Sequence, residues 1–244
     1  MRLFFQHLAG RITHFDWQYA TMLATFDELE EQSALETGWL PHEYEPPFWF
    51  QGRQVRYDLS ALKNSKKHKI PKRINYEFTK NVDFTRYQDI WSSYLAAKGF
   101  DDTQPIEQLF DIEPGKKQIL EIYDYDELVA FSVIRMEPAP ISLQFAWNYH
   151  EPKLSLGSHT QYFEMMYLES IGEDYSYVCP GYEKTCIWKA RFPGFEFWTG
   201  MEWSKDKNLY TKLCERDSDL IELDELAKEN LLPLVKNWKK GHNW

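Results

Sequence analysis

Between Tyr149 and Phe192 the chain places residues that can hold or move a proton beside residues that can hold an acyl group. His150, Glu151, His159 and Glu164 flank the segment Ser155-Leu-Gly-Ser158, and each of the four can accept a proton or orient an amine. A strand that passes through a glycine turn into a helix leaves the first backbone N–H groups of that helix facing outward. An acyl carbonyl or a phosphate can use them. If the acyl group arrives already activated, transfer to an amine needs positioning, an unprotonated amine and support for a developing oxyanion, and no serine or cysteine nucleophile.

The elements that must position these residues are readable around them. Glu127–Arg135 and Ile141–Tyr149 are rich in β-branched and aromatic residues, and Glu137-Pro-Ala-Pro140 between them cannot continue a ladder, so they are expected as antiparallel neighbours. Pro152 ends the second strand, Gly157 marks a sharp turn, and the spacing of Tyr162, Phe163, Met166, Tyr167 and Ser170 predicts a helix over His159–Ile171, closed by Gly172. Upstream, Gln118–Tyr123 reads as a strand and Tyr125-Asp126 as a hairpin turn. Asp83 caps a helix whose Phe84, Tyr87, Trp91, Tyr94 and Leu95 share one face, and Gly99 ends it. Arg53–Asp58 and Phe195–Trp198 read as strands, and residues 101–115 as a loop with a short helical piece. Met22, Leu23, Phe26 and Leu29 predict an amphipathic helix with an acidic face, Gly38–Pro47 a turn-rich path, and residues 223–238 a closing helix interrupted by Pro233. Three consecutive strands followed by a helix and further strands indicate the α+β class.

The 244 residues suffice for one large or two small domains. The expected division is an N-terminal region over 1–115, an acyltransferase-like domain over 116–215 and a C-terminal helical tail over 216–244. No apolar run approaches the ~20 residues of a membrane helix and no signal peptide is evident, so the expectation is a cytoplasmic protein with no membrane partner. Cys179, Cys186 and Cys214 are an odd number without close pairing, which suits a reducing compartment. The formal charge of −10 argues against general affinity for nucleic acid. One stretch runs against it: Lys63, Lys66, Lys67, Lys69, Lys72 and Arg73 follow one another with no acid between them, a strip suited to phosphate.

Tyr149-His-Glu-Pro152, Ser155-Leu-Gly157, Glu164 and the run from Tyr175 to Lys189-Ala-Arg-Phe192 resemble, in order and spacing, the C-terminal half of the arginyl-tRNA–protein transferase family and its bacterial leucyl-transferring relatives. Asn64-Ser-Lys-Lys67 is similar to the basic segment those proteins carry after an N-terminal strand. The resemblance implies a GNAT-like (acetyltransferase-like) mixed sheet with flanking helices, plus a smaller N-terminal α/β region. It implies transfer of an amino acid, arginine first and leucine second, from aminoacyl-tRNA to an amine of a protein or peptide.

Glu164 then corresponds to a helix glutamate that would orient the amine or take its proton, Glu151 to an aspartate before the proline, and His159 to an aromatic wall of the pocket. Tyr149, His150, Ser155, Gly157, Tyr175, Tyr177 and Trp188 would line the substrate. Lys189 and Arg191 would join Lys63, Lys66, Lys67, Lys69, Lys72 and Arg73 in holding tRNA. The family's N-terminal cysteines, associated with metal or an iron–sulfur group, have no counterpart before Cys179, so neither metal nor cofactor is expected beyond aminoacyl-tRNA as co-substrate. Two other readings stand beside this one: a CoA-dependent N-acetyltransferase on the same fold, and a peptide- or RNA-binding module without catalysis.

Overall fold

A computed structural model describes residues 2–5, 22–26, 28–42, 47–66, 68–99, 106–111, 113–149, 151–178, 180–181, 184–199 and 202–217. In chain order the elements are β1 (Arg2–Phe5), β2 (Met22–Thr25), α1 (Glu28–Glu36), β3 (Trp39–Pro41), β4 (Phe48–Gln51), β5 (Val55–Asp58), β6 (Ile74–Thr79), α2 (Phe84–Lys98) and α3 (Gln108–Asp111). They continue with β7 (Lys117–Asp124), β8 (Glu127–Arg135), β9 (Ile141–Trp147), α4 (Leu156–Ser170), β10 (Tyr175–Val178), β11 (Phe195–Trp198), β12 (Trp203–Ser204) and α5 (Lys207–Asp217). The class is α+β, with mostly antiparallel strands and flanking helices.

The chain divides into two compact units, residues 1–58 with 178–244, and residues 59–177. The boundary expected at 115/116 falls inside the second unit, because the β6–β7 ladder ties Ile74–Thr79 to Ile119–Asp124.

In the first unit a four-stranded antiparallel sheet runs in the order β1-β2-β4-β3. The helix expected from Met22 to Leu29 is corrected here. Met22–Thr25 is a central strand, with Leu23 opposite Phe4 on one side and Phe50 on the other, and α1 begins only at Glu28. A four-residue apolar run fits either period, and pairing on both edges decides it. The turn-rich segment likewise contains strand β3, whose Trp39 packs edge-on against Phe26 at 5.2 Å. A second group of strands, β12-β11-β5, carries the buried Arg56–Glu196 ion pair at 2.7 Å, with the Arg56 guanidinium over the Trp203 ring. The helix expected over 223–238 lies outside the described residues.

In the second unit the strands run β10-β9-β8-β7-β6, with antiparallel ladders from β6 to β9. Alternation along β7 and β8 serves two helices. Leu120, Ile122, Ala130 and Ile134 pack with Leu156 and Phe163 of α4, and Phe131 meets Tyr87 of α2 at 4.9 Å. Each of the buried leucine, isoleucine and phenylalanine side chains contributes roughly 1.5–3 kcal/mol. Helix α2 begins and ends where expected: Asp83 accepts from the Thr85 N–H, and Gly99, at φ 67, closes it in the left-handed region. Hairpins join β7, β8 and β9, whereas β9 and its neighbour β10 are joined through α4.

Candidate functional site

The connection from β9 to α4 is where the sequence placed acyl chemistry. Pro152–Leu154 forms a 3-10 turn, and Ser155 takes the left-handed conformation at φ 54. The helix then starts at Leu156, earlier than its apolar spacing predicts, so Leu156, Gly157 and Ser158 are its first turn rather than a loop. The Ser158 and His159 amides already bond to the Ser155 carbonyl, at 2.8 and 3.2 Å. Leu156 and Gly157 therefore hold the amides that a helix start leaves for an outside acceptor. Gly157 is there for closeness: a Cβ at this position would lie 2.9 Å from the ring of Trp147, at the end of β9.

The basic segment lies along α4 in the opposite direction. Lys63 pairs with Glu169 near the end of the helix at 3.2 Å, His68 meets His159 and Tyr162 in its middle, and Arg73 pairs with Glu151 before its start at 2.6 Å. Arg73 also reaches Asp124 at 3.2 Å, and its hydrogen bond to Glu151 raises its pKa. Two of the expected tRNA contacts, Lys63 and Arg73, thus hold carboxylates of the chain. Lys66, Lys69 and Lys72 are exposed, with no ion pair among the described residues, and Lys67 lies outside the described residues.

His159 is buried, its Nδ1 2.7 Å from His68 Nε2, and the His68 ring stacks on Tyr162 at 4.6 Å. Burial and the neighbouring His68 hold the His159 pKa down to about 4, and burial also lowers His68. Two neutral rings share one hydrogen bond, so His159 forms an interior wall. His68, its partner across 91 residues of sequence, gave no local signal.

Glu164 sits wholly inside, on the face of α4 turned to the sheet. The Ser142 hydroxyl donates to Oε1 and the Gln161 amide to Oε2, both at 3.3 Å. Burial pushes its pKa up to about 7 against the opposing hydrogen bonds of Ser132, Ser142 and Gln161. The second buried carboxylate of this unit, Glu121, contrasts with it: Arg86 lies 3.2 Å away, and the Tyr87 and Tyr123 hydroxyls donate at 2.5 and 2.6 Å. Among the described residues only neutral groups bond to Glu164, and its carboxyl faces the chain rather than solvent.

The expected substrate residues divide between the units. Tyr149 is half-buried and stacks on Trp147 at 5.3 Å. Tyr175 and Tyr177 stand 6.4 Å apart on β10, with Tyr177 buried and its N–H bonded to the Pro140 carbonyl. Trp188, Lys189 and Arg191 belong to the first unit. There Lys189 is buried and donates to the Pro180 carbonyl at 3.1 Å, Trp188 packs edge-on against Phe192, and Arg191 is exposed. His150 lies outside the described residues. Among the described residues no group of three or more His, Cys, Asp or Glu could hold a metal, and no helix is long and apolar enough to cross a membrane.

No protein-family model matches the chain, and no curated protein matches its sequence. Solved structures similar to it include the C-terminal DUF2156 domain of a protein assigned as a lysylphosphatidylglycerol synthetase from Agrobacterium fabrum, at 11% identity and a TM-score of 0.40, covering 81% of this chain and 60% of that one. A GCN5-related N-acetyltransferase from Kribbella flavida is similar at 10% identity and a TM-score of 0.37, covering 53% and 48%. An aminoglycoside acetyltransferase from an uncultured soil metagenomic sample shares 10% identity at a TM-score of 0.37, covering 49% and 84%. The chain thus spans less than two thirds of the length of the first two.

Proposed function

We propose that the second unit is an acyltransferase domain and that the protein moves an amino acid from aminoacyl-tRNA to an amine of a protein or peptide. The observation that carries this reading is the course of the basic segment along α4. It sets Lys66, Lys69 and Lys72, exposed, beside a helix whose first turn leaves the Leu156 and Gly157 amides for an outside acceptor, in a protein whose net charge is −10. Phosphates held by the lysines and an acyl oxygen held by the Leu156 and Gly157 amides are a consistent pair of contacts for an acyl donor built on a nucleotide. The ester of aminoacyl-tRNA is activated, so the domain has to supply position and charge stabilisation rather than a nucleophile.

In this reading Glu164 is a positioning residue, fixing α4 on β9 through Ser142, and Glu151 holds the strip in place through Arg73. Arginine is the preferred amino acid and leucine the second, because the acid-rich chain offers carboxylates for a guanidinium.

One feature favours CoA as the donor. A helix start held open by glycine against the preceding strand also suits a pyrophosphate. Incubating the protein and a peptide with either labelled aminoacyl-tRNA or labelled acetyl-CoA separates the two. Label on the peptide that requires intact tRNA supports the proposal, and label from acetyl-CoA alone replaces it with the acetyltransferase reading.

A further inference from the structure

Beyond the strip and the helix start, the second unit carries an aromatic platform that includes Tyr149, expected from the sequence to line the substrate. Phe145, Trp147 and Tyr149 succeed one another at alternate positions through the end of β9. Their rings stack at 5.5 Å (22°) and 5.3 Å (29°). Tyr94 of α2 backs the platform, 5.0 Å from Trp147 and 6.4 Å from Tyr149, and is itself buried. The three rings are only half-buried. The Lys98 ammonium stands 5.3 Å from the centre of the Trp147 ring, on the last turn of α2. The same Trp147 ring presses on Gly157, so the platform adjoins the first turn of α4.

Three half-buried rings in a stacked series with a cation over one of them are together what a nucleotide requires. The rings receive the base face, and the cation receives the phosphate. An apolar ligand would gain nothing from the Lys98 ammonium, and an acidic peptide would leave the ring faces unused.

We infer that Phe145, Trp147 and Tyr149, with Lys98, form a subsite for an adenosine nucleotide, the end common to the acceptor terminus of tRNA and to coenzyme A. This inference rests on the reading of the domain as an acyltransferase and names the part of the donor held at β9. The adenine stacks on the Trp147–Tyr149 end of the platform, its phosphate lies at Lys98, and the amides of Leu156 and Gly157 are left for the acyl oxygen.

The test measures affinity for four probes: coenzyme A, 4′-phosphopantetheine, an acceptor-stem RNA ending in CCA, and the same RNA ending in CC. The native protein is expected to bind the adenosine-bearing member of at least one pair about 5- to 150-fold more tightly, the range of one stacked base. Tyr149→Leu should abolish that preference and Tyr149→Phe should keep it, with melting temperature showing that both are folded. Equal affinity of the native protein within both pairs overturns the subsite, as does a folded Tyr149→Leu that keeps the preference. If Tyr149→Leu does not fold, the four native affinities still decide. A preference confined to coenzyme A supports the subsite and removes tRNA as the donor. Native-rate transfer from charged tRNA by Tyr149→Leu removes the subsite and leaves the donor assignment standing.

Discussion

Replacing Glu164 with glutamine should change how stability depends on pH more than it changes stability at pH 4.5. The side chain is wholly buried, bonded to Ser142 and Gln161, and burial holds its pKa at about 7 against an ordinary 4.5. In the folded protein the carboxyl therefore stays protonated through a range in which the unfolded chain has already released its proton. The stability it contributes is fully present below pH 4.5 and is lost as the pH rises through 7, after which both states are ionised and the curve is flat. At about 1.36 kcal/mol per pH unit, the span from 4.5 to about 7 corresponds to about 3 kcal/mol.

Glutamine keeps the shape and both kinds of hydrogen bond but has no proton to lose. Relative to the native protein, Glu164→Gln should thus be near neutral at pH 4.5 and more stable by up to about 3 kcal/mol at pH 8. With a urea slope of about 2–3 kcal/mol per molar, the midpoint should move up by about 1 M. Taking the difference between the two proteins removes the titrations they share, including that of His159. Urea unfolding followed by tryptophan fluorescence at pH 4.5, 6, 7 and 8 reads it directly. Two curves that run parallel across this range would refute the reasoning, because Glu164 would then be ionised and satisfied in the fold.

His159→Gln should act with the opposite sign. The native histidine, held at about 4, contributes stability that is present above its unfolded value of 6.5 and lost as the pH falls from there to 4, so the variant should lack that acid slope in the same unfolding measurement. Gly157→Ala should force the Trp147 ring to move. The overpacking cost of roughly 1–3 kcal/mol exceeds the gain in helix propensity of about 1 kcal/mol, and an unchanged urea midpoint and near-ultraviolet dichroism would show the contact to be loose. Lys66→Ala/Lys69→Ala/Lys72→Ala should leave stability within about 0.5 kcal/mol and flatten the salt dependence of tRNA binding by about two units. An unchanged salt slope would place the phosphates elsewhere.

Much of the second unit was legible because its signals are local. Asp83 and Gly99 bracket α2 in sequence as they do in space, and β7, β8 and β9 are apolar runs rich in β-branched and aromatic residues set between turn residues. Strand β6 was not, although Ile74, Tyr76 and Phe78 alternate, because the lysines before it read as one solvated segment; its ladder with β7 supplies the missing half of the pattern. In the first unit, β2 and β3 are too short for a period to show, and pairing with β4 makes both of them strands.

At the site, the residue types that mark the β9–α4 connection were visible, while their partners were not. Nothing near His159 in sequence points to His68, nothing near Arg73 to Glu151, and nothing about Gly157 shows that its reason is Trp147. Burial was the other hidden quantity. It places Glu164 and Lys189 against the chain's own groups, where sequence reading had turned them toward substrate and tRNA.

A single-turnover experiment bears most directly on the account as a whole. The protein is mixed with a peptide and stoichiometric aminoacyl-tRNA, acetyl-CoA is offered in parallel, and the peptide mass is followed with time. The account predicts a mass increase of one amino-acid residue that needs the charged tRNA and disappears when the tRNA is digested beforehand. An acetyl increment from acetyl-CoA, or an unchanged peptide with either donor, would contradict it.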